Sequence, residues 1–272
     1  MAMRYSFSPR KRNLISGLSV TNRLIIVNLF FYLVSLLIFK VYGEGFFLRN
    51  VALTPSLIIQ GKSLWTLITS MFSHLLLFHI FANMFSLFFI GNFLERIVGR
   101  KRFFWVYIFS GLAGGLFFVT SGLIFSNNIP GVGASGAIFG LLGVLAVLVP
   151  YSRIYLIAGP LILILAEVVI SPFVPVAFAS TFGIIVNVLI FMMIFAIFSF
   201  NPRIRKFAVP VELRMWLLPI VAIVPLVILG YFFPLPIGNS AHIGGLVLGL
   251  VYGFYLRRKF PRKTSVIERH FR

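Results

Sequence analysis

Long apolar runs separated by short basic stretches dominate the pattern of the chain. A membrane span needs roughly 20 apolar residues, and positive charges at its ends set its direction. The first run covers about residues 24–39 and follows Arg10, Lys11, Arg12 and Arg23, which puts the N-terminus inside. Residues 40–73 are too polar and irregular to cross. Glu44, Arg49 and Lys62 are interspersed there with Ile58, Ile59, Leu64, Trp65, Leu67 and Ile68, as in an amphipathic loop sunk in the outer interface. Runs at about 74–93, 103–125 and 135–149 then cross in, out and in. Arg96, Arg100, Lys101 and Arg102 mark the inner turn, and the uncharged segment 126–132 marks an outer one.

Residues 155–170, broken by Gly159-Pro160, and 177–200 read as a hairpin with its outer tip at Ser171, Pro172 and Pro175. Arg203, Arg205, Lys206 and Arg214 follow on the inner side. The run 215–233 goes out, with Pro219 and Pro225 as kink points. A short outer loop at 234–239 leads to the last run, 240–256, which returns to Arg257, Arg258 and Lys259. The expected fold is an all-α polytopic membrane protein of about eight spans with both termini cytoplasmic. Its parts are a basic arm at 1–23, a membrane domain at 24–257 with the inserted hairpin at 155–200, and a basic tail at 258–272.

Composition supports this class. Of 272 residues, 60% are hydrophobic and only 11% charged, values outside the soluble range. The net charge is +19, from 24 Lys and Arg against 5 acidic residues. Such an excess suits nucleic acid or an anionic membrane surface. Here the basic residues gather at the ends of apolar runs, which points to membrane lipid and not to nucleic acid. Residues 1–22 are basic and are followed by a full-length apolar span without a small-residue cleavage site, so they read as a cytoplasmic arm. The expected location is the cell membrane.

The chain has no cysteine, which excludes disulfides, thiol catalysis and cysteine-ligated metals. It also has no aspartate: the acids are Glu44, Glu95, Glu167, Glu212 and Glu268. A Ser-His-Asp triad and an aspartyl dyad are therefore impossible.

Ionisable and polar groups inside a membrane are costly and mark functional sites by default. His74, His79 and Asn83 lie on the second run, and the last two share one helix face. Ser135 opens the fourth run and His242 the last, and all five fall near the outer end of their spans. Gly136 and Gly140 are four apart, as are Gly245 and Gly249, which makes two small-residue packing faces. If those faces meet, Ser135 and His242 come within hydrogen-bond reach, and a neutral imidazole can take the serine proton. His79, Asn83 and the Ser135 backbone N–H at a helix start then offer donors for an oxyanion. The bland alternative is that Gly133-Ala134-Ser135-Gly136 is only a packing face. Three histidines suggest a metal, but there is no H-E-x-x-H and the ligand count falls short, so neither metal nor cofactor is expected. Glu167, isolated in the hairpin, reads as a structural hydrogen-bonding group or as a coupling group of a transporter.

The order His74-x4-His79-x3-Asn83, Gly133-Ala134-Ser135-Gly136 and Ala241-His242-Ile243-Gly244-Gly245 resembles the rhomboid intramembrane serine proteases. Glu95, Gly99 and the stretch Ser110-Gly111-Leu112-Ala113-Gly114-Gly115 are also similar to that family, over about residues 61–253. The resemblance implies a six-helix core with a Ser135–His242 dyad. It also implies an oxyanion site at His79 and Asn83, with His74, Gly133 and Gly136 in support. The implied reaction is hydrolysis of peptide bonds in or near transmembrane segments of membrane-protein substrates. Residues 215–233 and 234–239 would be gate and cap, and water would enter from outside. A catalytically idle relative that binds or escorts membrane proteins is the other reading. Two departures stand out. Trp65-Thr66 replaces the family's frequent Trp-Arg, and three crossings, not one, separate the serine and histidine helices.

Overall fold

The computed structural model describes residues 17–196, 201–232 and 238–271. Ser19 starts the first helix, its hydroxyl accepting the Asn22 N–H at 3.1 Å. Helix α1 (Val20–Asn50) contains the first apolar run and continues well beyond it. It breaks once, at Gly43, where φ is 79° and ψ 172°, a conformation that only glycine adopts readily. The segment expected to be irregular from residue 40 is thus helical in its first part. Phe47, Val51 and Ala52 bury themselves there in a small separate cluster. Two short helices follow, α2 (Pro55–Ile59) and α3 (Thr66–Thr69).

Helix α4 (Leu77–Val98) contains a π-helical turn at Leu87–Gly91. It meets α5 (Arg100–Ile124) across the single residue Gly99, whose φ of 80° reverses the chain. The second span was expected to begin at His74. It begins at Leu77, and His74 lies in the extended segment before it. Glu95 near the end of α4 holds the start of α1. Its carboxylate accepts the Val20 and Thr21 N–H groups at 2.9 and 2.8 Å and the Thr21 hydroxyl at 2.7 Å. A buried carboxylate suits those otherwise unpaired helix-start donors and the positive end of the helix dipole.

Helix α6 (Ser135–Leu148) is apolar on every side and buried nearly all round, as a central helix must be. Leu141, Val144 and Leu145 anchor the main core with Phe103 and Tyr107 of α5 and Leu87 and Leu94 of α4. After α6 the predominantly helical fold is interrupted by one short ribbon that the sequence reading did not include. Strand β1 (Arg153–Ile157) precedes α7 (Ala158–Ile170). It pairs antiparallel with β2 (Pro210–Arg214), Arg153 opposite Arg214 and Ile157 opposite Pro210. Ile154, Tyr155 and Ile157 are β-branched or aromatic, and Pro210 sits where a two-stranded edge tolerates it. Gly159-Pro160 does not break a helix. Pro160 lies in the first turn of α7, where its missing N–H would have had no partner.

Helix α8 (Val176–Ala196) completes the hairpin, and the short α9 (Pro202–Phe207) leads into β2. The run to α10 (Leu218–Phe232) starts with a 3-10 turn at Met215–Leu217. Pro219 again falls in a first turn, so only Pro225 lies inside the helix. The expected cap loop falls largely on residues 233–237, outside the described residues. Helix α11 (Asn239–Lys259) and α12 (Pro261–His270) end the chain.

By length and composition, five of these helical stretches can cross a membrane: Val20–Asn50, Leu77–Val98, Arg100–Ile124, Val176–Ala196 and Met215–Phe232. Helix α6 and the stretch Ala158–Phe173 are apolar but shorter. Large apolar side chains such as Phe30 and Leu33 stay exposed on the outside of the bundle, as lipid contact requires.

Candidate active site

Two tight helix contacts bring the polar residues together. A Cβ on Gly245 would run into the Gly136 carbonyl oxygen, and one on Gly249 into that of Gly140. Helices α6 and α11 therefore meet backbone to backbone along the two glycine faces read from the sequence. Helix α5 closes the third side. A Cβ on Gly114 would lie 2.7 Å from the Ala241 carbonyl oxygen and 3.3 Å from the Gly136 Cα, and Ser110 fills the space beside Gly140.

This packing puts His242, in the first turns of α11, against Ser135, the first residue of α6. The Ser135 Oγ is 2.8 Å from His242 Nε2. His242 is buried, and Phe139, one turn after Ser135, stacks on its ring with centroids 4.5 Å apart and planes 23° from parallel. The ring can thus neither swing away nor tilt freely. Phe139 went unremarked among the many phenylalanines, although its spacing of four from Ser135 signals one helix face.

The approach to Ser135 is pinned from the long segment between α1 and α4. Leu53 and Gly131 exchange both backbone hydrogen bonds at 2.9 Å. The Gly133 N–H donates to the Ser70 carbonyl at 2.8 Å. Gly133 has a φ of 133°, and a Cβ there would lie 2.7 Å from the His79 ring and 3.8 Å from the Asn83 amide nitrogen. Glycine is needed at that point because His79 and Asn83 press against the backbone two residues before Ser135. The segment's contribution to the site is not visible in its sequence, because backbone pairing leaves no residue signature.

His74 sits behind this wall, fully buried. The Ala134 N–H donates to its Nε2 at 3.5 Å, and the Asn83 amide nitrogen lies 3.2 Å from the same atom. A backbone N–H is only a donor, so Nε2 accepts and the ring proton is on Nδ1. Asn83 also donates to the His79 carbonyl at 3.0 Å. His74 and His79 stand edge to face, 5.0 Å between centroids. The residues of the expected Ser135–His242 site lie together here: Ser135, His242, His79, Asn83, His74, Gly133 and Gly136, with Gly140, Gly245 and Gly249 beneath. Glu167 does not join them. It lies in the hairpin beside Gly183.

Chemically, the arrangement offers a hydroxyl in contact with an imidazole, with no carboxylate touching either among the described residues. The unpaired N–H at the start of α6 and the His79 and Asn83 side chains flank it. This is the layout of a two-residue nucleophile–base pair with an adjoining anion pocket.

The Rhomboid domain family model matches residues 61–188 and 180–259. The chain is 39% identical over 90 residues to the rhomboid protease GluP of Bacillus subtilis, covering 33% of this chain and 17% of that one. It is 38% identical over 97 residues to the putative rhomboid protease YdcA of the same organism, covering 35% and 47%. It is also 38% identical over 84 residues to the inactive RHOMBOID-like protein 8 of Arabidopsis thaliana, covering 31% and 23%. The matched part is thus less than half the length of each of these relatives. The family model spans most of the chain, from the loop before α3 to the last residue of α11, and the chain belongs to the rhomboid family of multi-pass membrane proteins.

Proposed function

We propose that the protein is an intramembrane serine endopeptidase that cleaves peptide bonds in or near transmembrane segments of membrane proteins. The observation that carries this is the 2.8 Å contact between Ser135 Oγ and His242 Nε2. The His242 imidazole removes the Ser135 proton as the oxygen attacks the scissile carbonyl. The tetrahedral oxyanion is met by the Ser135 N–H and by His79, with Asn83 beside it. The imidazolium then gives its proton to the leaving amine, leaving an acyl-serine. Water, deprotonated by the same imidazole, hydrolyses that ester and restores the hydroxyl. His74 holds Asn83 and the Ala134 backbone and touches no substrate in this scheme. No metal or cofactor takes part.

The same reading includes eight crossings, both termini in the cytoplasm and a cell-membrane location, with residues 24–257 as the membrane domain and 258–272 as a cytoplasmic tail. The hairpin at 155–200 supplies the two extra crossings. Basic residues at one end of the runs support this orientation. The partners are transmembrane protein substrates and membrane lipid.

A fluorophosphonate probe is expected to label Ser135 in the purified protein and to label neither Ser135→Ala nor His242→Ala, both still folded. Absence of labelling, together with failure to cleave any membrane reporter, would overturn the proposal. That outcome would favour the catalytically idle reading; one of the Arabidopsis relatives is likewise named inactive.

A further inference from the structure

We propose that the end of the bundle opposite His242 holds a binding site for the phosphodiester of an anionic phospholipid, centred on Phe260. Three cations from three different elements surround that one ring. Arg102 of α5 lies 5.1 Å from the ring centroid, Lys259 at the end of α11 5.8 Å, and Lys263 of α12 5.9 Å. Among the described residues none of the three has a carboxylate partner. The nearby acid, Glu268, is taken by Arg257 at 3.0 Å. A ring face attracts cations weakly and carries no net charge. Three like charges gathered on it still repel one another, and an anion between them removes that repulsion through charge-assisted hydrogen bonds.

The cluster is held in place before any ligand arrives. The Thr264 hydroxyl donates to the Phe260 carbonyl at 3.1 Å, the Arg257–Glu268 pair ties α12 to α11, and Phe271 packs edge-on against Phe93 of α4. These contacts fix the backbone of Lys263 next to Phe260 as long as α12 stays docked. The depth also fits. Along α11, Lys259 follows His242 by 17 residues, about 26 Å of helix at 1.5 Å per residue. That approaches the thickness of a bilayer's hydrocarbon core, about 30 Å, so the cations reach headgroup level on the side opposite the Ser135 pair.

A second observation selects a lipid over a free phosphate. On α5, Trp105 and Phe109 lie one and two turns beyond Arg102 on the same face, both exposed, their rings stacked 5.4 Å apart. A headgroup held at Arg102 would lay its acyl chain along those rings. The ligand would then clamp α5 to α11, the two helices that pack with α6 around Ser135.

The test is native mass spectrometry of the full chain in detergent, titrated with phosphatidylglycerol, phosphatidylcholine or inorganic phosphate. Phosphatidylglycerol is expected to be retained and phosphatidylcholine not. Neutralising Arg102, Lys259 and Lys263 together to Gln is expected to lower phosphatidylglycerol affinity by more than tenfold, each charge near an anionic headgroup giving about fivefold. Neutralising Arg203, Arg205 and Lys206 of α9 removes the same charge elsewhere and is expected to change affinity less than twofold. Trp105→Ala with Phe109→Ala is expected to weaken lipid binding. If the triple variant does not fold, Lys263→Gln alone is expected to weaken binding and Lys263→Arg to restore it. Equal losses from the two triple variants, equal retention of phosphatidylcholine, or competition by inorganic phosphate at the same concentration would each overturn the proposal.

Discussion

Asn83 has two amide hydrogens, and in this structure both are committed. One goes to the His79 carbonyl at 3.0 Å, the other to His74 Nε2 at 3.2 Å. To serve a developing oxyanion it must give up one of these bonds, so its net contribution is the difference between two hydrogen bonds. The Ser135 N–H, at the first position of α6, has no intrahelical partner to give up. The His79 side chain, half-buried against Gly133, likewise makes no hydrogen bond of its own among the described residues. His79→Ala is therefore expected to lower kcat by about 10²–10³, as loss of an oxyanion donor does elsewhere. Asn83→Ala is expected to cost about tenfold, on the order of one exchanged hydrogen bond. Turnover of a purified reporter in detergent distinguishes them, and equal losses would show that Asn83 donates directly. The residue types were legible in the sequence because a membrane interior makes each polar group conspicuous. Their prior commitments were not, since hydrogen-bond partners such as the His79 carbonyl leave no trace in composition.

At the scale of elements, glycines and prolines carry different information about where helices meet and bend. Gly136 with Gly140 and Gly245 with Gly249 met across one interface, because small residues four apart leave a continuous backbone surface. Pro160 and Pro219 fell in first turns, where proline is harmless, and sequence alone did not show where those turns began. The ribbon of β1 and β2 was hidden for a related reason. Its strands are five residues each and lie 53 residues apart at Ile157 and Pro210, so their pairing depends on where α7 to α9 return the chain. The α6–α11 contact yields a sharp prediction. A methyl group at Gly249 meets the Gly140 carbonyl, a backbone atom that cannot rotate aside. Gly249→Ala is expected to destabilise by about 1–3 kcal/mol, as overpacking does, and to slow probe labelling by moving His242 from Ser135. Gly45→Ala in α1, where nothing lies within 4 Å, is the control; it is expected to be neutral or to stabilise by about 0.5–1 kcal/mol. Thermal unfolding and labelling rate, measured side by side, check both.

For the whole molecule, the hairpin sets the number of crossings. Helix α8 packs outside the main core, with Val186, Ile190 and Ile194 against Phe78, Phe81 and Phe85 of α4. Phe191 meets Phe78 edge to face and Phe81 at a tilt, at centroid distances of 5.9 and 5.0 Å, and those two phenylalanines flank His79. The insertion therefore rests on the helix that carries His79 and Asn83. Helix α7, however, has 13 residues, about 20 Å at 1.5 Å per residue, short of a hydrocarbon core of about 30 Å. The extended β1 before it and the turn after it must supply the remaining height if the hairpin crosses. The charge pattern is met whether it crosses or not, since two crossings and none both keep Lys259 on the side of Arg102; the eight-span reading takes the first. The absence of cysteine makes this directly measurable, because one introduced thiol reports alone. With a membrane-impermeant maleimide on intact cells, Ser126→Cys and Ser171→Cys are expected to react. Arg205→Cys and Arg262→Cys are expected to react only after permeabilisation. Protection of Ser171→Cys alongside Arg205→Cys would mean that the hairpin dips in and returns without crossing. It would leave the direction of α11 unchanged, since a hairpin that does not cross also adds an even number of crossings. The count would fall from eight to six, while the Ser135–His242 geometry, built from α5, α6 and α11, would stand.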